Sequence, residues 1–330
     1  TSIHSLMMRG IKVEQFGDNS SMRICDDLPF PVIKNDEILI KIIAAGINPV
    51  DTYIREGWFD NLPLLPYIPG KDGAGIVEKV GDEVNLFKVG DRVFCVLKNT
   101  NGTYAEYVSV NYREVFILPE YLSFQQGAAI GIPYFTATRA LFPKDPLPQD
   151  CSVFIHGASG GVGVACVQLA KAFGYYVTGT AGTLEGMKLV KDVGADAVFN
   201  HRNKKYVEKV KEACGLGFDL ILEMKASANL STDLNLLKHS GRIMIIGSSG
   251  DVMIDSSLII AKEAQIAGVA CLSASDAEMA SAYQTIEKCF KERIIKPYIN
   301  ADYSLKDVQK AHLDLTHSHG SMGKLILSIG

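Results

Sequence analysis

Eight residues, His156-Gly157-Ala158-Ser159-Gly160-Gly161-Val162-Gly163, restrict the fold of this chain more than any other stretch. The apolar run Cys151 to Ile155 precedes them, and Val164 to Ala172 follows with apolar residues at helical spacing. The order reads as strand, tight loop and helix. Glycine belongs in such a loop because a side chain would hold a pyrophosphate away from the N–H groups at the helix N-terminus, where those donors and the helix dipole favour an anion. The glycines at 157, 160 and 163 depart from the commonest G-x-G-x-x-G spacing, so the neighbouring sequence has to decide whether the loop cradles phosphate.

That neighbouring sequence alternates. After the first strand, β-prone runs recur at Tyr175 to Thr180, Ala197 to Asn200, Phe218 to Glu223, Arg242 to Ile246 and Ala264 to Cys271. Helix-patterned stretches separate them at Leu184 to Asp192, Tyr206 to Cys214, Leu230 to Leu237 and Ser256 to Lys262. Six strands alternating with helices predict an α/β domain of the Rossmann type, a doubly wound parallel six-stranded sheet that binds its ligand across the carboxyl ends of the strands.

The first 120 residues follow another pattern. Short β-prone segments (Met8 to Glu14, Glu37 to Ala45, Gly75 to Val80, Arg92 to Leu97, Tyr104 to Val108, Val115 to Leu118) are punctuated by Gly and Pro, which predicts a mostly antiparallel β-domain. One helix is expected at Pro49 to Arg55, with Asn48 as N-cap and Pro49 at the first helical position. A joint is expected near Ser123 to Ala140, broken by Gly127, Gly131 and Pro133, followed by a proline-rich approach from Pro143 to Asp150. The tail carries helix-like stretches at Ala277 to Lys291 and Leu305 to Leu315 and a strand at Lys324 to Ser328, and is expected to return to the first domain. The organisation is then a discontinuous domain, 1–125 with 274–330, into which a nucleotide-binding domain, 126–273, is inserted; substrate would meet coenzyme in the cleft between them.

At 330 residues and 47% hydrophobic, the chain can bury two cores. Its net charge of −4 excludes a global field that recruits nucleic acid or acidic membranes. The seven cysteines (25, 95, 151, 166, 214, 271, 289) form no C-x-x-C and read as free thiols in a reducing compartment. Without an apolar run of ~18 residues or a signal-peptide core, the expected location is the cytoplasm, with no membrane association.

Coenzyme choice is legible at the second strand. NAD-binding units carry an acid there, about 20 residues after the glycine loop, to hold the ribose hydroxyls. Here Thr178-Gly179-Thr180-Ala181-Gly182-Thr183 contains none, which leaves room for a 2′-phosphate and predicts NADPH. Lys188 and the pair His201-Arg202 can approach that phosphate, although Lys188 equally suits a solvated helix face; Glu185, the nearest acid, suits the first helical turn. His156 ends a buried strand and reads as structural, and His317-x-His319 sits in a Ser- and Gly-rich loop and reads as solvated.

Several separate stretches are similar to one known family: Gly46-Ile47-Asn48-Pro49-Val50-Asp51-Thr52-Tyr53-Ile54-Arg55, Leu65-Pro66-Tyr67-Ile68-Pro69-Gly70, Gly90-Asp91-Arg92-Val93-Phe94, Gly127 to Ala137, and His156 to Gly163. On these the chain resembles, nearly end to end, the medium-chain dehydrogenase/reductase superfamily, and within it the zinc-free quinone oxidoreductases that include the zeta-crystallins. The resemblance implies a GroES-like catalytic domain, a Rossmann domain, a homo-oligomer (tetramer or dimer) and zinc-free reduction of quinones by NADPH. To the coenzyme contacts read from the loop (Ser159, Gly160, Gly161 and Val162) and from the second strand's end (Gly182, Lys188 and His201) it adds Tyr53, Asn229, Ile246, Gly247, Ser248 and Ser249 after the fifth strand, and Val269, Ala270 and Cys271 at the end of the sixth. Two positions depart from the family pattern: Phe59 stands where a tyrosine is expected and Ser249 where an arginine is.

In the superfamily's alcohol dehydrogenases a Cys and a His hold catalytic zinc; the matching positions here are Asn48 and Lys71, with Ile132 in place of a third cysteine, so no metal is expected. Reduced nicotinamide is then the implied redox carrier, delivering hydride to an electron-poor acceptor. Tyr53 and Asn48 are the candidates for orienting nicotinamide and acceptor, Asp51 for capping or orienting, and Lys71 for stabilising an oxyanion or pairing with Asp72. A short-chain dehydrogenase is disfavoured, since its Tyr-x-x-x-Lys pair occurs only as Tyr67 and Lys71, ahead of the glycine loop and around Pro69-Gly70. An enoyl or alkenal reductase of the same superfamily remains an alternative, because hydride addition to a conjugated carbonyl uses nearly the same site. The resemblance also brings a non-enzymatic alternative, AU-rich RNA binding or accumulation as a lens crystallin; the negative charge and lack of a basic, aromatic stripe weigh against RNA.

Overall fold

A computed structural model describes residues 7–98, 101–143 and 147–330; residues 144–146 of the expected proline-rich approach lie outside the described residues. The chain forms two compact units, one from Thr1–Ile132, Lys296–Ser318 and Lys324–Gly330, the other from Pro133–Ile295 and His319–Gly323.

The first unit opens with β1 (Met7–Val13) and β2 (Met22–Pro29), a two-stranded antiparallel ribbon. Next come β3 (Glu37–Ile47), α1 (Pro49–Glu56), β4 (Asp72–Val80), β5 (Arg92–Val96), β6 (Tyr107–Asn111), β7 (Val115–Ile117) and α2 (Phe124–Ala128). The sequence of β3, Glu-Ile-Leu-Ile-Lys-Ile-Ile-Ala-Ala-Gly-Ile, is apolar on both faces, as a central strand has to be, and nine of its eleven residues are buried. It packs tightly on β4: a Cβ on Gly75 would stand 1.9 Å from the Lys41 carbonyl oxygen, so only glycine permits this approach. Ile38, Ile40, Ile42, Val77 and Val93 form the centre of this unit's core. Helix α1 starts at Asn48 and Pro49 as expected and ends where Gly57 takes φ +82°.

Helix α3 (Gly131–Leu141) leads into the second unit, which contains β8 (Ser152–Ile155), α4 (Gly161–Ala172), β9 (Tyr176–Ala181), α5 (Leu184–Asp192), β10 (Ala197–Asn200), α6 (Tyr206–Cys214), β11 (Phe218–Glu223), α7 (Ala226–Leu236), β12 (Leu237–Ile245), α8 (Ser256–Lys262), β13 (Gln265–Gly268) and α9 (Asp276–Lys291). Among the described residues its sheet has six strands in the order β10-β9-β8-β11-β12-β13, every neighbouring pair parallel. The order reverses between β8 and β11, so the carboxyl ends of those strands form the switch point where such sheets bind ligands. Phe154 and Phe218, stacked at 4.9 Å, anchor the core beneath it.

The tail, β14 (Ile299–Ser304), α10 (Val308–His317) and β15 (Lys324–Ser328), rejoins the first unit, whose larger sheet runs β14-β15-β3-β4-β5-β7 with β6 on β3. The units meet in sequence at 132 and 295 rather than at the expected 125 and 274, because α9 belongs with the parallel sheet: Arg139 bonds both the Ala270 carbonyl oxygen at 2.9 Å and Glu278 at 3.4 Å, and Lys288 lies over the Phe173 ring. The sixth strand stops at Gly268, so Val269 to Cys271 follow it instead of forming its end, and the segment expected at Tyr104 to Val108 is shifted to β6.

Candidate active site

The glycine loop begins as β8 ends. Gly157 has φ +55°, a conformation side chains rarely adopt, and donates to Thr180 Oγ1 at 3.2 Å, while Ala158 N–H donates to the Thr180 carbonyl at 2.8 Å. A Cβ on Gly163 would lie 2.4 Å from the Gly157 carbonyl oxygen, so the third glycine lets helix and loop close on each other. Gly160 is the N-cap of α4 and offers no side-chain cap, leaving the N–H groups of Gly161 and Val162 at an open helix start. Ser159 is buried; its hydroxyl donates to the Ser321 carbonyl at 2.6 Å, its own carbonyl accepts from Gly323 N–H at 2.6 Å, and Gly160 and Gly323 form a parallel bridge.

At the second strand's end, Gly182 faces His201 and Arg202: a Cβ there would meet His201 Nε2 at 2.8 Å and Arg202 Nε at 2.9 Å. The Arg202 guanidinium donates to the His319 carbonyl. Lys188 is exposed and paired with Asp192 at 2.5 Å one turn along α5, the arrangement of a solvated helix face. Glu185 lies in the first turn of α5, which Thr183 caps through Gly186 N–H.

The remaining expected contacts lie around the β11 and β12 ends. Asn229 Nδ2 donates to Glu223 Oε1 at 3.1 Å, and Ile246 and Gly247 N–H both donate to the Glu223 carbonyl. Ser248 bonds the Gly250 carbonyl, and Ser249 lies 3.5 Å from the Ser227 hydroxyl. Val269 N–H donates to the Ile245 carbonyl, Ala270 accepts from Arg139, and Cys271 is buried.

His156, beneath this region, has Nε2 2.7 Å from Asp233 Oδ1 and 3.2 Å from Glu223 Oε2, all three residues buried. Among the described residues this is a group whose metal-ligand atoms converge, within 4.8 Å; its hydrogen bond between His156 and Asp233 joins the β8 end to α7, with Glu223 of β11 alongside. Burial raises both carboxyls, Glu223 to about 8 and Asp233 to about 7, and lowers His156.

The first unit holds a second polar cluster. Asn48, Asp51, Asp72 and Lys324 are all buried. Asn48 is the N-cap by position, yet its amide is engaged elsewhere: Nδ2 donates to Asp72 Oδ2 at 2.9 Å and Oδ1 accepts from the Lys324 ammonium. Asp51 Oδ2 accepts from Asn48 N–H at 2.8 Å, and Asp72 Oδ1 accepts from Ile132 N–H at 2.8 Å. The ion pair of Asp72 is with Lys324, at 3.4 Å, and not with Lys71, whose ammonium donates to the Lys98 carbonyl at 3.2 Å. Burial raises Asp51 to about 7, against the pull of Asn48 N–H, and lowers Lys71 and Lys324. Tyr53 is half-buried, its hydroxyl pushed up by burial, and its ring stacks on Trp58 at 4.8 Å and 10°. Trp58 is 60% and Phe59 44% exposed. A narrow recess beside α1 is lined by Asp51, Ile54, Tyr67, Pro69 and Lys71.

Sequence reasoning missed Lys324, Trp58 and Tyr67. Lys324 sits in an apolar strand, Leu-Ile-Leu-Ser following, where a lysine is out of pattern; that anomaly was the available signal.

A zinc-binding dehydrogenase family model matches residues 161–288, and an alcohol dehydrogenase GroES-like domain model matches 34–120. The quinone oxidoreductase of Homo sapiens is 45% identical over 322 residues, 97% of this chain and 98% of its own length; that of Sus scrofa is 47% identical with the same coverage. The solved Escherichia coli quinone oxidoreductase complexed with NADPH is similar at a TM-score of 0.84 and 28% identity, covering 97% of this chain and 99% of that one. With a GroES-like unit, a Rossmann sheet and full-length relatives at this identity, the chain belongs to the quinone oxidoreductase (zeta-crystallin) family of the medium-chain dehydrogenase/reductase superfamily.

Proposed function

We propose that this protein is an NADPH-dependent quinone reductase that transfers hydride to its acceptor without zinc. The observation that carries the coenzyme choice is the second strand's end, where Gly182 is flanked by His201 and Arg202 and no acid stands between Thr178 and Thr183. A 2′-phosphate meets the Arg202 guanidinium and the His201 imidazole there, and no carboxylate. The loop fits the pyrophosphate, since Gly157 and Gly163 allow a conformation and a close approach that a side chain would block.

In this reading the N–H groups of Gly161 and Val162 receive the pyrophosphate, with Ser159 and Gly160 alongside, and Gly182, His201 and Arg202 flank the 2′-phosphate, with Lys188 on the solvated face of α5. Asn229, Ile246 to Ser249 and Val269 to Cys271 line the path to the nicotinamide, which when bound supplies the hydride. Tyr53 positions the rings, and Asn48, held by Lys324 and Asp72, orients the acceptor. Zinc is not part of the proposal because the two side chains at the ligand positions are committed elsewhere, Asn48 to Lys324 and Lys71 to Lys98.

The test is oxidation of NADPH and NADH by the purified protein with a quinone and an enone side by side. Faster turnover of the enone would replace quinone reduction with alkenal reduction. The proposal includes a cytoplasmic homo-oligomer of two or four chains, supported by the family resemblance and checked by light scattering and cell fractionation. RNA binding is a secondary role, opposed by the net charge of −4; a gel shift that weakens steeply with salt would establish it.

A further inference from the structure

Two residues that line the recess beside α1 each carry a buried polar atom without a close hydrogen-bond partner, with the Tyr104 hydroxyl also acting on one of them, Asp51. Asp51 and Tyr67 both line it and are only 2% and 7% exposed. Among the described residues, Asp51 Oδ1 and the Tyr67 hydroxyl are buried without a hydrogen-bond partner. A buried polar group without a protein partner is costly, so two on one recess suit a ligand atom that can serve both. The recess has room for a water-sized group, not a ring, and its other walls include Ile54 and Pro69. An oxygen at the edge of a flat ligand matches that space.

We propose that this recess delivers the proton of the reaction: the quinone carbonyl oxygen enters it, accepts a hydrogen bond from the Tyr67 hydroxyl and takes a proton from Asp51. This rests on the quinone-reductase reading. Hydride from the reduced nicotinamide brings two electrons and one hydrogen to the quinone. The Asp51 O–H bond then breaks as a hydroquinone O–H forms, leaving the nicotinamide oxidised and Asp51 ionised until solvent returns the proton. Asn48 N–H, 2.8 Å from Oδ2, receives the new carboxylate. The charged and titratable groups facing it are Asp72 on β4, Lys324 on β15, Lys71, Tyr67 and Tyr104; the two lysines favour its ionised form and Asp72 opposes it. Burial, the largest influence, holds the carboxyl at about 7, in the range where a general acid works best near neutral pH.

Asp51→Asn and Tyr67→Phe test this. The amide of Asp51→Asn keeps an oxygen for Asn48 N–H, and circular dichroism checks that both variants fold. With tetramethyl-benzoquinone as acceptor, Asp51→Asn is expected to lower kcat by about 100-fold with little change in KM, and to abolish both the fall of kcat as pH rises through 7 and its slowing in D2O. Tyr67→Phe is expected to raise KM by about 3- to 10-fold and keep the pH profile. A second arm needs no turnover: 4-cyanophenol, titrated calorimetrically, is expected to bind the parent and to bind both variants about 10-fold more weakly. Quinone turnover with a parent-like pH profile and isotope effect in Asp51→Asn would overturn the proposal and leave the quinone reading intact. Absence of quinone turnover, with phenol binding that depends on Asp51 and Tyr67, would remove the quinone reading and leave the recess as an oxygen site. Phenol binding indifferent to both substitutions would overturn the recess.

Discussion

Lys324, the first residue of the last strand, hydrogen-bonds the side-chain oxygen of Asn48, the residue that leads α1, and pairs at 3.4 Å with Asp72. One buried ammonium thus fixes the amide flip of Asn48 and balances a carboxylate. Lys324→Met should cost about 3 kcal/mol, the low end for breaking a buried pair, because Asp72 keeps its bonds from Asn48 and Ile132. Adding Asp72→Asn should recover part of it. Urea unfolding of parent, single and double variants measures this, and a double variant no more stable than the single would show that the pair is not the source of the cost.

NADPH should be preferred over NADH by about 10- to 100-fold, as expected for one or two charge-assisted hydrogen bonds to a 2′-phosphate. Arg202→Ala should narrow that ratio more than Lys188→Ala, since Arg202 stands against Gly182 whereas Lys188 is held by Asp192. Ratios of kcat/KM for the two coenzymes decide it, with NADH kinetics expected to be nearly unchanged in both variants.

Tyr53→Phe should lose less than the ~10²-fold typical of removing a general acid, because the hydroxyl is not the proposed proton source. Tyr53→Ala should lose more, since the ring that stacks on Trp58 is gone and donor and acceptor drift from their ~3 to 3.5 Å approach. Single-turnover oxidation of NADPH by one quinone compares them. Equal loss in the two variants would make Tyr53 the proton donor.

Stability should fall as pH rises from about 4 toward 8, through the buried pair Glu223 and Asp233 and through Asp51. Their folded values, about 8, 7 and 7, lie above the ~4 of unfolded carboxylates, so the folded state holds extra protons in between. That contribution is complete below about pH 4 and is lost as pH rises toward 8. His156, lowered by burial, acts oppositely but only below its unfolded value near 6.5, and Tyr206 adds no titration in this range. Glu223→Gln should therefore flatten the pair's share of the decline, about 1–2 kcal/mol between pH 6.5 and 8. Thermal melts across that range provide the measurement; a variant with the parent's slope would exclude the pair as its cause.

The parallel sheet was legible because its signals are local. Leu184–Asp192, Tyr206–Cys214 and Phe218–Glu223 match the expected elements residue for residue, since periodicity and flanking glycines lie within each segment. Strand β2 escaped notice because it pairs only with β1 and buries just Met22 and Leu28, so Met-Arg-Ile-Cys-Asp-Asp-Leu-Pro carries no clear alternation. Strand β14 was hidden similarly, its residues all half-buried or exposed. At the site, Asn48, Asp51 and Tyr53 stood out by their spacing around Pro49, whereas the partner of Asn48 lies 276 residues away. A pairing over that distance is made by the β15–β3 ladder, which no window of sequence contains.

The five residues His319–Gly323 make the two units poor candidates for exchange as modules. They are counted with the parallel sheet, where Gly323 bridges Gly160, Ser321 accepts from Ser159 and His319 accepts from Arg202, but they are encoded after the chain has already returned to the first unit. A gene fragment for 133–295 would supply the glycine loop and leave its last bridge behind. Recombination within this family has to carry the tail together with the sheet, so inheritance of coenzyme preference should track both segments in any chimera.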